Sequence, residues 1–216
     1  VERAIQGVLA ELPAEVLGRR VEPIVVVDGG SDNTEVVLRE SGYLVAMHAL
    51  NRGNPAAVRT GFEIALRQGA EVVVTMDADG QHDPAELARL TQPIWDDQAD
   101  YVLGSRFMGA YEEAGSVRHR GVVFFSALIR LLTGLPVNDC TNGFRAFRAD
   151  SLRKLDLHEP RFIGPELLFE ARRKGLRFLH VPVTVRSRRA GDSKMPRSLL
   201  YPLGFLWTIL RVWLLR

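Results

Sequence analysis

Two Val-rich runs that end abruptly in aspartate constrain this chain more than any other feature. Pro23 to Asp28 reads Pro-Ile-Val-Val-Val-Asp, and Glu71 to Asp77 reads Glu-Val-Val-Val-Thr-Met-Asp. β-Branched side chains are stiff at χ1 and suit a pleated surface, and a continuous apolar run marks a strand covered on both faces. Tyr43 to His48, Asp100 to Ser105 and Leu176 to Val185 extend the series. Between them lie longer helical patterns. Asn54-Pro55 and Asp83-Pro84 each place a capping side chain before a proline at the first helical position, and Glu86 completes a capping-box spacing after Asp83. Further helical stretches end near Thr133-Gly134 and cover Pro165 to Lys174. This alternation predicts an α/β fold, a mostly parallel sheet flanked by helices. No repeat, low-complexity tract or linker divides it. The chain opens on an amphipathic helical pattern, Val1 to Leu12, with no strand to feed it, so the first strand of such a fold is expected upstream.

With 216 residues, 46% hydrophobic and 25% charged, the chain can bury one sizeable core. Cys140 is its only cysteine, which excludes an internal disulfide and makes a reducing compartment the default. No secretory leader is read at Val1. Charge is divided unevenly. Residues 172–216 hold eleven Lys and Arg against the single acid Asp192, a net +10, while the remainder holds 17 basic and 25 acidic residues, a net −8. A uniformly basic nucleic-acid binder would not divide this way.

The basic end also carries the most apolar stretch, Leu199 to Leu215, interrupted by one charge, Arg211. It is near the lower limit of the ~17 to 25 residues that cross a bilayer and contains Pro202 and Gly204, so an interfacial helix is expected rather than a span. The expected organisation is a catalytic domain over 1–197 and a basic-flanked, apolar membrane-associating helix over 198–216. That places the protein peripherally on the cytoplasmic face of a membrane.

In open α/β sheets ligands bind outside the carboxyl ends of the strands. Two strand ends there are polar: Asp28-Gly29-Gly30-Ser31-Asp32, and Asp77-Ala78-Asp79-Gly80-Gln81. The first also fits a turn followed by a helix cap. In the second, carboxylates at i and i+2 past a buried strand repel each other unless a cation or ligand sits between them. Carboxylate and amide oxygens suit a hard ion such as Mg²⁺ or Mn²⁺, which takes one or two carboxylates and completes its shell with phosphates and water.

These strings, together with Gly104-Ser105-Arg106, Asp139-Cys140-Thr141-Asn142-Gly143-Phe144-Arg145 and Arg189-Ala190-Gly191-Asp192-Ser193-Lys194, stand in one order along the chain. In that order the chain resembles the family-2 glycosyltransferases of the GT-A fold, and within them the dolichol- or polyprenol-phosphate mannose synthase group. The resemblance covers nearly the whole chain. It implies that Asp28 holds the nucleotide base, Asp77 the ribose or base, and Asp79 with Gln81 the Mg²⁺ or Mn²⁺ bridging the donor diphosphate. Arg106, Arg118, Arg189 and Lys194 would receive the acceptor phosphate, with Arg106 and Arg189 the strongest candidates. Asp139 is matched either to a base, to orienting the acceptor, or to a turn residue paired with Arg145. Gly29 stands where the family often has a second acid, and Asn51-Arg52-Gly53 where it often has a lysine.

The resemblance therefore implies an inverting transfer of a hexose, mannose first, from a nucleotide sugar (GDP-mannose, with a UDP-sugar as the alternative) to polyprenyl or dolichyl phosphate. Transfer to a glycan hydroxyl and a non-catalytic nucleotide-sugar binding module are the competing readings. A sugar nucleotidyltransferase would show a Gly-rich phosphate loop with Arg and Lys after its first strand, and none is read here.

Overall fold

The computed structural model describes residues 2–29, 38, 42–109, 117–186 and 200–215. Its strands are β1 (Glu15–Val16), β2 (Arg19–Arg20), β3 (Ile24–Asp28), β4 (Leu44–His48), β5 (Val72–Thr75), β6 (Tyr101–Ser105), β7 (Arg145–Arg148) and β8 (Phe178–Pro182). Its helices are α1 (Glu2–Ala10), α2 (Asn54–Arg67), α3 (Leu87–Trp95), α4 (Val117–Thr133), α5 (Ala149–Leu152), α6 (Ile163–Arg173) and α7 (Leu200–Leu215), with a 3₁₀ turn at Pro84–Glu86.

All five expected strands form. β3 and β4 pair in parallel from Ile24↔Leu44 to Asp28↔His48. The main sheet runs β5-β7-β6-β8, and here the expectation of a mostly parallel sheet is corrected. β6 and β8 are parallel, but β7 is antiparallel to both β5 and β6. Arg-Ala-Phe-Arg lacks an apolar run, so β7 is invisible to patterning. Its outer arginines are satisfied by distant partners: Arg145 by Tyr101 Oη at 2.7 Å, Arg148 by Asp97 and Asp100.

Alternation along β6 and β7 divides two cores. Tyr101, Leu103 and Phe147 face a cluster with Phe62 of α2, Ile129 of α4, Leu167 and Leu168 of α6, and Phe205, Ile209 and Val212 of α7. Val102 and Ala146 face Leu87, Leu90 and Ile94 of α3. The sheet is thus covered on both faces, which is why β6 is buried throughout.

Helix starts follow the sequence only in part. Asp83 caps as expected, accepting from Ala85 N–H at 3.0 Å. Glu86 does not turn back to close a capping box; its carboxylate accepts instead from Thr184 N–H at 2.8 Å. α2 begins at Asn54 with Pro55 in its first turn, but the cap position is Gly53 and no side chain caps it. Gly53 has φ 88, a conformation glycine adopts without penalty, and its N–H is taken by Asp28.

His180 on β8 is locked as a neutral ring, its Nδ1–H donating to Leu103 O and its Nε2 accepting from Asn138 N–H. Burial depresses its pKa to about 4. A base depressed when folded loses stability as pH falls from the unfolded value near 6.5 through 4. We expect wild type to lose on the order of 3 kcal/mol of its advantage over His180→Gln across that window, read by urea unfolding at each pH. A constant difference would contradict the assignment. A second loss follows below pH 4, because hydrogen bonds from Arg177 hold Asp100 at about 2.

Candidate functional site

Because β7 is antiparallel, its beginning lies at the same edge as the ends of β5, β6 and β8. Thr75 and Leu103 both pair with Arg145, and Ser105 pairs with Pro182. Sequence strings far apart in the chain, those after Thr75, after Ser105, before Arg145 and after Pro182, therefore meet at one rim.

Asp77 and Asp79 sit on the turn after β5. Asp79 Oδ1 accepts from Gln81 N–H at 3.0 Å, closing the turn on itself. Ala78 packs on the cluster of Ile5, Leu9, Val25 and Leu38, which sets the turn near β3. Gly143 leaves the room that the Asp77 carboxylate occupies: a Cβ there would lie 2.8 Å from Asp77 Oδ2. Among the described residues no cluster of three or more His, Cys, Asp or Glu could hold a metal. Two carboxylates on one turn, Asp77 and Asp79, fit a hard ion that takes most of its shell from a phosphate ligand. The Gln81 side-chain amide donates to Arg186 O at 3.2 Å, so part of this expected metal ligand is committed to the backbone.

His82 closes the Asp77 to His82 string that resembles the family's metal-binding signature, but sequence reasoning gave it no role of its own. It is buried, accepts from Asp77 N–H through Nδ1 at 3.2 Å, and donates through Nε2 to Asn142 Oδ1 at 2.9 Å. Asn142 passes the connection to Gly104 O at 2.8 Å, and Phe144 stacks on the imidazole with centroids 5.0 Å apart. One hydrogen-bonded chain thus ties the Asp77 turn to β6 and β7. The available signal was a histidine directly after a carboxylate turn.

Asp28 lies at the end of β3, with both oxygens engaged. Oδ1 accepts from His48 Nδ1–H at 2.7 Å and Arg52 N–H at 2.9 Å, and Oδ2 from Gly53 N–H at 2.7 Å. Burial opposes its charge, but the hydrogen bonds from Arg52, His48 and Gly53 outweigh it and hold the carboxyl below its usual value. In this geometry Asp28 shapes the Asn51–Gly53 loop, a task its sequence position alone did not reveal.

Arg106 and Asp139 form the other half. Asp139 is fully enclosed, and its Oδ2 accepts from both the backbone N–H and Nε–H of Arg106, at 3.1 and 2.7 Å. Arg106 Nη2 also donates to Thr141 Oγ1 at 3.3 Å. Asp139 Oδ1 is buried with no hydrogen-bond partner among the described residues. The alternative pairing with Arg145 does not form; Arg145 instead donates to Asn142 O and Cys140 O. Burial pushes the neighbouring Cys140 thiol up to about 11, leaving it a packing group.

Arg189 and Lys194 lie outside the described residues, as do Gly30, Ser31 and Asp32, and Arg118 is described only as part of α4. Arg186, the last described residue before Arg189, is fixed to the turn after β5: its N–H donates to Gln81 O at 2.9 Å and its guanidinium pairs with Asp83.

The family model described as Glycosyl transferase family 2 matches residues 1–156. The polyprenol monophosphomannose synthase of Mycolicibacterium smegmatis is 36% identical over 195 residues, covering 83% of this chain and 72% of that protein. A UDP-N-acetylglucosamine–dolichyl-phosphate N-acetylglucosaminyltransferase of Methanococcus voltae is 31% identical over 182 residues, covering 74% and 72%. The crystal structure of glucosyl-3-phosphoglycerate synthase from Mycobacterium tuberculosis with Mn²⁺ and UDP-glucose superposes with a TM-score of 0.73 at 21% identity, covering 98% of this chain and 74% of that one. That likeness shows a shared GT-A-like α/β fold.

Proposed function

The chain belongs to glycosyl transferase family 2, and on that premise we propose that it transfers a hexose from a nucleotide sugar to a polyprenyl phosphate at a membrane surface. The two relatives of 36% and 31% identity differ in the sugar their names give and share a polyprenyl or dolichyl phosphate. This favours the acceptor class over any one donor. Mannose from GDP-mannose is the first choice, with a UDP-sugar second.

The observation that carries the reading is the enclosure of Asp139. A sugar hydroxyl needs a base to become a nucleophile, and the carboxylate offered for that role is sealed and engaged with Arg106. A phosphate monoester, with a second pKa of roughly 6, is already largely dianionic at neutral pH and needs little help. In this reading Asp139 and Thr141 fix the plane of the Arg106 guanidinium, and Arg106 receives the acceptor phosphate with the geometry suited to paired hydrogen bonds. Arg189 and Lys194, with Arg118 the weakest member, complete the cationic receptor.

Asp79, with Gln81, would hold Mg²⁺ or Mn²⁺, which when bound neutralises the charge developing on the departing nucleoside diphosphate. Asp28 and Asp77 line the donor side, with His82 holding the Asp77 turn in register. Attack from the face opposite the diphosphate inverts the anomeric centre, so an α-linked donor gives a β-linked lipid phosphate sugar.

A screen of radiolabelled nucleotide sugars against a short polyprenyl phosphate tests this directly. The expected result is label in the organic phase with one donor, dependent on divalent metal. Transfer to a free glycan instead would replace the lipid-phosphate reading.

A further inference from the structure

Asp28 and His48 stand opposite each other in the parallel pairing of β3 and β4, and the imidazole also reaches α2. Its Nδ1–H donates to Asp28 Oδ1 at 2.7 Å, and its Nε2 lies 2.9 Å from Thr60 Oγ1. An ionised carboxylate only accepts, so Nδ1 carries a proton, and in the neutral ring Nε2 accepts from the Thr60 hydroxyl. The His48 side chain is 8% exposed and that of Asp28 16%, so the ring is sheltered while the carboxylate stays within reach of a ligand.

The carboxylate held in this way organises the loop after β4. A carboxylate offers about four acceptor sites. His48 and Arg52 N–H occupy those of Oδ1, and Gly53 N–H takes one of Oδ2, which leaves one site on Oδ2 among the described residues. The loop is walled on two sides. A Cβ on Gly29 would lie 2.3 Å from Asn51 N, so the main chain at Leu50 and Asn51 crosses directly over the end of β3. Beyond Gly53 stands Pro160 O, 3.6 Å from where a Cβ would be, and Arg59 donates to the neighbouring Glu159 O at 2.8 Å. Arg59 and Thr60, consecutive on α2, thus steady one wall and the imidazole.

We propose that His48 is a positioning residue for the donor nucleotide: with Thr60 it fixes the Asp28 carboxylate, so that the remaining site on Oδ2 and the Asn51–Gly53 loop present one geometry to the base. This rests on the donor side of the function proposed above. The terminal torsion of an aspartate is broad, so the carboxylate needs an outside fixed point to hold one plane. The N–H groups of Arg52 and Gly53 cannot be that point, because Leu50, Asn51 and Arg52 are exposed and their loop depends on Asp28 for its own shape. An imidazole bonded at both nitrogens and buried between β3, β4 and α2 can. Its loss is read in donor affinity and leaves the acceptor step alone.

The test is calorimetric titration of UDP and of GDP, each with Mn²⁺, into wild type, His48→Asn and His48→Gln, with donor and acceptor KM measured on the same proteins. The Asn amide nitrogen takes the place of Nδ1 and keeps the bond to Asp28. The Gln amide reaches the place of Nε2, keeps Thr60 and abandons Asp28. His48→Asn is expected to bind the nucleotide that wild type binds within about threefold, and His48→Gln about tenfold or more weakly, the loss typical of a hydrogen bond to a charged group. Donor KM should rise by the same factor in His48→Gln, with kcat and acceptor KM close to wild type. A packing role predicts the reverse order, since Gln fills the place of the ring better than Asn. Equal binding by the two variants, tighter binding by His48→Gln, or a fall in kcat with donor KM unchanged would overturn the proposal. Should neither variant fold, Thr60→Val, which keeps the shape of Thr60 without its hydroxyl, takes their place; weaker nucleotide binding is expected, and wild-type affinity would overturn it. A wild type that binds neither nucleotide contradicts the donor reading itself, whereas one that binds and keeps its affinity in His48→Gln contradicts only the role of His48.

Discussion

Asp79→Ala should remove Mn²⁺-dependent binding of nucleoside diphosphate while leaving the melting temperature close to wild type. Asp79 Oδ1 accepts from Gln81 N–H within its own turn, and among the described residues Asp79 belongs to no core cluster, so little packing is lost with it. The carboxylate's value lies in charge directed at an ion and a diphosphate, where removal of one electrostatic partner costs on the order of 10²-fold or more. Calorimetric titration of GDP and UDP with and without Mn²⁺ measures this apart from turnover. Unchanged affinity would take Asp79 out of the donor site.

The second large effect is expected at Asp139. Asp139→Ala strands the Arg106 guanidinium in an enclosed site, and breaking a buried pair from one side costs about 3–5 kcal/mol. The double variant Arg106→Met with Asp139→Leu should recover most of that stability, since both charges leave together. It should recover no transfer, because the guanidinium proposed to receive the phosphate is gone. Urea unfolding and acceptor turnover separate the two roles. If Asp139→Ala were as stable as wild type and lost only turnover, Asp139 would be a chemical participant, not the residue that positions Arg106.

Much of the framework was legible because it rests on short-range rules. Val25 to Val27 and Val72 to Val74 announced their strands, and the aspartates after them stand at the carboxyl ends of those strands, where open α/β sheets bind ligands. Local rules failed where a partner far along the chain took the group. Glu86 has capping-box spacing from Asp83, yet Thr184, 98 residues away, holds its carboxylate. Arg211 reads as an interruption of an apolar run, but Glu159, 52 residues away, draws it inward. His82 and Asn142 are 60 apart and meet only because β7 runs against its neighbours. The core packing of α7 was hidden for the same reason: removing 199–216 would strip Phe205, Ile209 and Val212 from the core, so a deletion there cannot isolate membrane binding from folding.

The central claim is that the nucleophile is a lipid phosphate and requires no base. It is tested most directly by offering the enzyme, with the donor selected in the screen and Mn²⁺, equal concentrations of a short polyprenyl phosphate and of the corresponding polyprenol, and measuring the label carried by each. Transfer to the phosphate alone, with a rate that rises as the phosphate loses its second proton near about pH 6, is the predicted result. Comparable transfer to the alcohol would contradict the account and require a base that the enclosed Asp139 does not supply.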